Sequence, residues 1–587
     1  MTRAGRDPKE VLPRGAAVWH AAKRMTQVPT LDEAIRSLTA QGALYEMVEE
    51  DVLGQRLRVF RNVPRTLREL WERSARFAER DYLVYEGERT TYAQAHERVR
   101  ALATYLVERA GVHKGDRVAI AMRNYPEWPI AFFAATSIGA IAVPLNAWWT
   151  SDELAYAIED SESLILIADE ERIERVLPIR DKLPLKTVIG VRCKSAHPDV
   201  IDFDRIVSGP TAHALPDAAI APDDDATIFY TSGTTGNPKG ALGTHRNLCT
   251  NVGSVAFARA RAALRRGVAP VPLDGGANQL SLLLSVPMFH VTGCHSFLVY
   301  GTHTGHKVIT MYKWHAERAL EIIEREKVTH FGGVPSMVWQ VLESPELSKH
   351  DTSSILGVIY GGAPAAPELV RRIKRAFPKA VPSNGYGLTE TSAVTTTNSG
   401  PDYERKSESI GLATPVSDVR TVDDQGRVLP PGQIGELCVR GPNVVKGYWR
   451  NPKATADAIR DGWLHTGDVV RIDEEGFIEV LDRAKDMLIR GGENIYCIEV
   501  ENALYDHPSV MDAAVIGIAH QVLGEEVGAV VQVVAGSTLT EASLREHALK
   551  HLASFKVPIR IDFRNEPLPR NANGKILKRE LKRDLGW

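Results

Sequence analysis

The sequence predicts an α/β protein in at least two parts: a large N-terminal domain of layered α/β subdomains with a small β-barrel-like part, then a small C-terminal α+β domain. Three observations predict it. The chain has 587 residues, too many for one hydrophobic core. Short buried-strand patterns alternate with helical patterns through most of the chain, as in parallel sheets joined by crossover helices. From residue 410 the strands shorten and turns such as Asp423-Asp424-Gln425-Gly426 and Pro430-Pro431-Gly432 appear, before the alternation resumes over roughly the last hundred residues, a small domain's length.

Taken in order, residues 1–50 form an N-terminal extension with Leu31, Ile35 and Leu38 on one helical face and no evident chemistry. Residues 64–77 read as an amphipathic helix with Leu67, Leu70, Trp71 and Ala75 at helical spacing, and 91–109 as a second. Residues 116–122, 140–145 and 164–168 are short apolar strands. The uncharged stretches 128–149 and 280–301 are each long enough to span a bilayer. Pro129, Gly139 and Pro144 interrupt the first, and Pro287, His290 and Gly293 the second, so each is read as a helix and a strand joined by a turn. Residues 244–258 should be helical. Beyond Ile410, 435–440 and 477–481 read as antiparallel strands, and 500–505, 513–517, 527–534 and 543–552 as the elements of the last domain.

Bulk chemistry narrows the function. Hydrophobic residues make up 44% and charged residues 25%, with a formal net charge of −3, which gives no reason to expect nucleic acid. The five cysteines are scattered without zinc spacing, favouring isolated thiols and a reducing, cytoplasmic setting. No secretory leader is apparent at Met1. The run 259–266 holds four arginines in eight residues; it reads as a solvated basic face or as a patch for peripheral membrane contact.

Several stretches carry chemistry. Tyr230-Thr231-Ser232-Gly233-Thr234-Thr235-Gly236-Asn237-Pro238-Lys239-Gly240 leaves the apolar run 226–229 as a loop of hydroxyls and glycines. Such a loop is either a solvated turn or a phosphate cradle; it lacks the Lys-Ser/Thr ending of a Walker A loop. Phe289-His290 ends an apolar strand. Gly361-Gly362-Ala363-Pro364 and Ser383-Asn384-Gly385-Tyr386-Gly387-Leu388-Thr389-Glu390 are small-residue turns after buried strands, where open α/β sheets place ligands. Thr466-Gly467-Asp468, Arg483-Ala484-Lys485-Asp486, Gly491-Gly492-Glu493 and Asn573-Gly574-Lys575 follow.

In this combination and order the stretches resemble the adenylate-forming superfamily of acyl-CoA synthetases, adenylation domains and beetle luciferases, over about residues 66–585. The resemblance implies a two-step reaction in which a carboxylate and ATP give an acyl-adenylate and pyrophosphate, and a thiol, usually of CoA, displaces AMP. It implies that Thr231, Ser232, Gly233, Thr234, Thr235 and Lys239 hold the β- and γ-phosphates, Thr389 the α-phosphate, and Glu390 a Mg²⁺ ion. Gly361, Gly362, Ala363, Pro364, Asn384 and Tyr386 would form the adenine slot, while Asp468 and Arg483 take the ribose. Lys575 would stabilise the charge of adenylate formation. His290 would gate or wall the acid's pocket. The implied domains are 51–484, which binds AMP, and a mobile 485–587 turning about Lys485, a rotation that would bring Gly491 and Gly492 to the thiol's channel. Asp482 stands where a glycine is usual, and Cys497 where a proline is usual.

The acid's pocket shows no obvious charged residue, so a medium- to long-chain fatty acid is expected, with an aryl acid second. No carrier domain follows Lys575, which favours free CoA as acceptor; carrier-protein loading, amide formation and a non-catalytic AMP or acyl binder are the alternatives. The sequence leaves the oligomeric state open, a homodimer being compatible with it.

Overall fold

The computed structural model describes residues 28–195, 197–209, 213–231, 238–270, 278–362, 365, 367–483, 486–491, 493–534, 536–571 and 575–587. Two large sheets dominate. In the first, Arg117–Ala121, Ile141–Pro144, Ile165–Asp169, Thr187–Val191 and Val200–Asp202 run parallel, joined by Asp225–Thr231 on the far side of Ile141–Pro144. Lys239–Thr244 pairs antiparallel with Asp225–Thr231, placing Thr231 opposite Lys239. That strand was not read in the sequence, where its glycines mimic loop. In the second sheet Asp81–Tyr85, Lys307–Thr310, Ser281–Leu284, His330–Gly333, Gly357–Gly361 and Val381–Tyr386 run parallel, with antiparallel edges.

The helix His245–Leu264 touches strands of both sheets. Thr244 caps it by accepting from the backbone N–H of Asn247, whose side chain returns the bond to the Thr244 N–H, satisfying donors that the first turn leaves free. Burial on nearly all sides explains why its sequence shows little amphipathic patterning. It also corrects the reading of 259–266 as a basic patch. Arg261 is 2% exposed and donates to the Thr397 carbonyl. Arg265 pairs with buried Asp402, Arg266 donates to the Ala262 carbonyl, and Arg259 is half-buried with its guanidinium on His330. Arg261 is thus committed inside the fold, Arg259 and Arg265 are half-buried on partners, and Arg266 alone is exposed, so the four do not form one solvated basic face.

The stretches 128–149 and 280–301 resolve as expected into helix and strand, with Glu127–Ser137 preceding Ile141–Pro144 and Ser281–Leu284 preceding a π-helical turn at Thr292–Val299. Among the described residues no helix is long and apolar enough to cross a membrane. All five cysteines are free thiols. After residue 410, Asp418–Val422, Ile434–Arg440, Trp463–Ile472, Ile459–Arg460 and Ile478–Arg483 form an antiparallel sheet. A last mixed sheet, spanning Leu488–Arg490 to Arg560–Arg564, carries the helices Cys497–Tyr505 and Glu541–Leu549 on its own apolar core.

Candidate active site

A cavity of about 200 Å³ opens where the second large sheet, the antiparallel sheet and the C-terminal unit meet. Its walls include Asn384 and Tyr386 from one, Asp468 and Arg483 from the next, and Lys575 and Lys578 from the last. Val381–Tyr386 delivers Asn384 and Tyr386 from beside Gly357–Gly361. Gly361 is required there, because a Cβ on it would stand 2.2 Å from the Gly385 carbonyl oxygen.

Asp468 is the electrostatic centre. It sits opposite Arg483 in the pairing of Trp463–Ile472 with Ile478–Arg483 and is 2% exposed. Its Oδ1 lies 3.0 Å from Arg483 Nε, and its Oδ2 accepts from the Tyr386 hydroxyl at 2.5 Å. Burial raises the Asp468 carboxyl above its ordinary range, while Arg483 pulls the other way. Burial and the neighbouring carboxylate push the Tyr386 phenol well up, so it stays a donor. A carboxylate offers about four acceptor positions, so Asp468 keeps capacity for a ligand's hydroxyls.

A second layer, missed in the sequence, fixes that aspartate. Glu436 accepts from the Gly467 N–H at 2.9 Å and lies 2.7 Å from His465 Nδ1, and the Thr466 hydroxyl donates to the Leu437 carbonyl. Glu436, Cys438 and His465 thus form a tight group, but the Glu436 carboxylate is already spent on the loop carrying Asp468.

Glu390 lies in the turn Thr389–Thr391, which ends on left-handed Ser392 and Ala393. Two successive non-glycine residues in that region mark a strained loop. Gly387 makes the loop feasible, since a Cβ there would collide with the Ala393 carbonyl. Glu390 Oε1 accepts from the Tyr448 hydroxyl at 2.6 Å, and Lys239 Nζ stands 5.2 Å from the centre of the Tyr448 ring. Oε2 has no hydrogen-bond partner among the described residues. Tyr448, unnoticed in the sequence, therefore links Glu390 to the end of the glycine-rich loop. Thr231 and Lys239 mark the two ends of that loop; Ser232, Gly233, Thr234 and Thr235 lie outside the described residues, as do Ala363, Pro364, Lys485 and Gly492.

Lys575 is half-buried. Its N–H donates to Asn571 Oδ1, and its Nζ is 3.9 Å from Asp486. Burial and the adjacent Arg483 lower its pKa, while Asp486 and Asp468 favour the charged ammonium. The C-terminal unit anchors the segment before it through Arg570, which reaches Asp512, in turn bound by the Tyr505 hydroxyl. Gly491 is exposed and donates to the Leu523 carbonyl, away from the cavity walls. His290 packs edge-on against Phe289 with its Nε2 buried and unpartnered. Burial drops its pKa to about 3, so it is a neutral ring and a poor base near neutral pH.

Comparison with known proteins follows from this geometry. The family model for the AMP-binding enzyme matches residues 70–449, and that for the AMP-binding enzyme C-terminal domain matches 499–575. A feruloyl-CoA synthase of Amycolatopsis sp is 36% identical over 500 residues, covering 85% of this chain and 95% of the relative. A long-chain-fatty-acid–CoA ligase of Bacillus subtilis (strain 168) is 34% identical over 540 residues, covering 87% and 93%. The structure of amide bond synthetase McbA from Marinactinospora thermotolerans superimposes with a TM-score of 0.76 at 27% identity, covering 88% of this chain and 99% of that one.

Proposed function

This chain belongs to the AMP-binding enzyme family, within the adenylate-forming superfamily, and we propose that the cavity between Asp468 and Lys575 is where it activates its acid. The protein is an acid–thiol ligase. A carboxylate is a poor electrophile; joined to the α-phosphate of ATP it becomes an acyl-adenylate, from which the CoA thiol displaces AMP.

The observation that carries the site assignment is the meeting of Lys575, from the C-terminal unit, with Asp468, Tyr386 and Asn384 around one cavity. Asp468 accepts from the ribose hydroxyls while Arg483 and Tyr386 hold its two oxygens in place. Asn384, Tyr386, Gly361, Gly362, Ala363 and Pro364 bound the adenine. Thr231, Ser232, Gly233, Thr234, Thr235 and Lys239 grip the departing pyrophosphate, and Thr389 the α-phosphate. Lys575 stabilises the negative charge that builds on the carboxylate and phosphoryl oxygens. Glu390, with its free Oε2, would hold Mg²⁺, a hard cation that takes carboxylate and phosphate oxygens and neutralises the latter when bound. His290 walls the acid's entrance. Residues 51–484 and 485–587 act as separate domains hinged at Lys485, whose turning brings Gly491 and Gly492 to the thiol. Free thiols throughout suit a cytoplasmic setting.

Pyrophosphate release with a panel of acids, with and without CoA, tests the reading. Release with at least one acid, and an acyl-CoA product when CoA is added, is expected. Release without a CoA product would shift the acceptor to an amine or a carrier protein, the former favoured by the likeness to an amide bond synthetase. No release with any acid would leave a nucleotide binder.

A further inference from the structure

A second cavity, of about 80 Å³, lies behind the nucleotide cavity and shares its Asn384–Gly385 wall. It is bounded by the helix His245–Leu264, the π-helical turn Thr292–Val299 and the strands Val381–Tyr386 and Thr396–Ser399. The volume is about half that of an engineered cavity known to take a benzene ring, roughly 150 Å³. It accommodates a few atoms, not a polymethylene tail.

Its walls are mainly apolar, and Arg259, Ser296 and His306 are among the polar residues that line it. Arg259 has no carboxylate partner among the described residues; its Nη2 donates to His330 Nε2 at 3.0 Å, and its guanidinium lies 5.6 Å from the centre of the Tyr300 ring. Ser296 Oγ and His306 Nε2 are both buried without a hydrogen-bond partner, and His306 is 2% exposed. The Thr304 hydroxyl lies 2.9 Å from the Tyr300 carbonyl and 2.6 Å from His306 Nδ1; when it donates to the carbonyl, Nδ1–H donates to Oγ1 and Nε2 carries the lone pair. In that tautomer His306 Nε2 presents a lone pair, and Arg259 presents N–H donors. A buried polar group without a partner is costly, and a hydroxyl satisfies both kinds at once.

Resting on the ligase reading above, we propose that this cavity receives the distal end of the acid and that the acid carries a hydroxyl there, accepting from Arg259 and donating to His306 Nε2, with Ser296 beside it. The substrate class is a compact hydroxy acid, aryl or of similar bulk, and Arg259, Ser296 and His306 set the specificity.

The test compares kcat/KM for 4-hydroxycinnamate with that for its isostere 4-methylcinnamate, and for hexadecanoate, in the native enzyme and in Arg259→Met and Ser296→Ala. The native enzyme should favour the hydroxy acid by about 10- to 100-fold, the worth of one hydrogen bond to a charged group. Arg259→Met should erase most of that preference through KM, and Ser296→Ala, a small change that leaves the fold intact, should erase part of it. Equal or better use of 4-methylcinnamate or hexadecanoate, or a preference untouched in both variants, would overturn the inference. Calorimetric binding of the two cinnamates to the AMP-loaded protein separates the two readings. If no acid releases pyrophosphate the ligase reading fails, while the same binding preference supports the pocket's assignment and its absence overturns it.

Discussion

Asp482 Oδ2 accepts a hydrogen bond from the backbone N–H of Cys497 at 2.5 Å. These are the two positions at which the resemblance to the superfamily implies glycine and proline instead, and the hydrogen bond requires both residues found here. The usual proline at 497 has no N–H to give, and the usual glycine at 482 has no oxygen to receive it. Asp482 belongs to Ile478–Arg483, within the antiparallel sheet, whereas Cys497 opens the first helix of the C-terminal unit. The bond therefore ties the two units together.

The tie should appear as a double-mutant cycle. Cys497→Pro alone leaves the buried Oδ2 unpaired, while Oδ1 keeps the Arg483 N–H, and should cost about 1–3 kcal/mol of stability; Asp482→Gly alone leaves an open N–H at the helix start. The pair Asp482→Gly with Cys497→Pro restores the superfamily arrangement and should be more stable than the two single costs predict. Urea midpoints of the four proteins decide it, and strict additivity would mean that the contact carries no coupling.

Asp482 also makes the fold sensitive to pH. Burial pushes its carboxyl up to about 6, with Glu501 adding repulsion and Lys578 and the N–H groups of Cys497 and Arg483 opposing the rise. In the unfolded chain the group titrates near 3.9. Between those values the folded state binds the extra proton, so this group's contribution is complete below about pH 4 and is lost as pH rises through about 6. The loss amounts to roughly 3 kcal/mol by pH 8, at 1.36 kcal/mol per unit. Asp482→Asn should flatten the stability profile between about pH 4 and 7 relative to the native protein. Parallel profiles would show that another group governs this window.

Lys575 tests the division of labour between the half-reactions. Its ammonium shares the cavity with Asp468 and Arg483, and its lowered pKa reflects burial and that neighbouring arginine. Lys575→Ala should slow pyrophosphate release by about 10² to 10³, the usual cost of removing one preorganised charge-stabilising group. Thioester formation from a supplied acyl-adenylate should survive. Equal loss of both steps would place Lys575 in binding rather than in adenylate formation.

Much of this was legible in the chain itself. Apolar runs such as 116–122 and 164–168 become central parallel strands because burial on both faces leaves no alternation to disguise them. Gly361 and Tyr386 end strands, where their contribution is local and readable, whereas Asp468 lies within Trp463–Ile472. Tyr448 was not legible: it sits in the two-residue strand Gly447–Tyr448 and reaches Glu390 only because it pairs opposite Ala241. Arg259 was misread for a related reason. On a helix buried on nearly every side, the run of arginines has no polar face to point to, and only the packing distinguishes an inward guanidinium from a solvated one.

Tyr448 supplies the last prediction. Its hydroxyl donates to Glu390 Oε1 at 2.6 Å, and burial with that carboxylate raises its pKa, so it remains a donor throughout the working range. The bond orients Glu390 so that Oε2 stays available to a cation. Outer partners of a metal-holding carboxylate typically alter metal affinity by about 10- to 100-fold when removed. Tyr448→Phe keeps the ring over which Lys239 sits and should raise the Mg²⁺ concentration needed for half-maximal pyrophosphate release about tenfold, leaving the rate at saturating Mg²⁺ close to native. Glu390→Gln should lower that saturated rate as well, because the ligand itself has lost its charge. A Mg²⁺ titration unchanged in both variants would remove Glu390 from the metal site and leave Tyr448 as a packing residue.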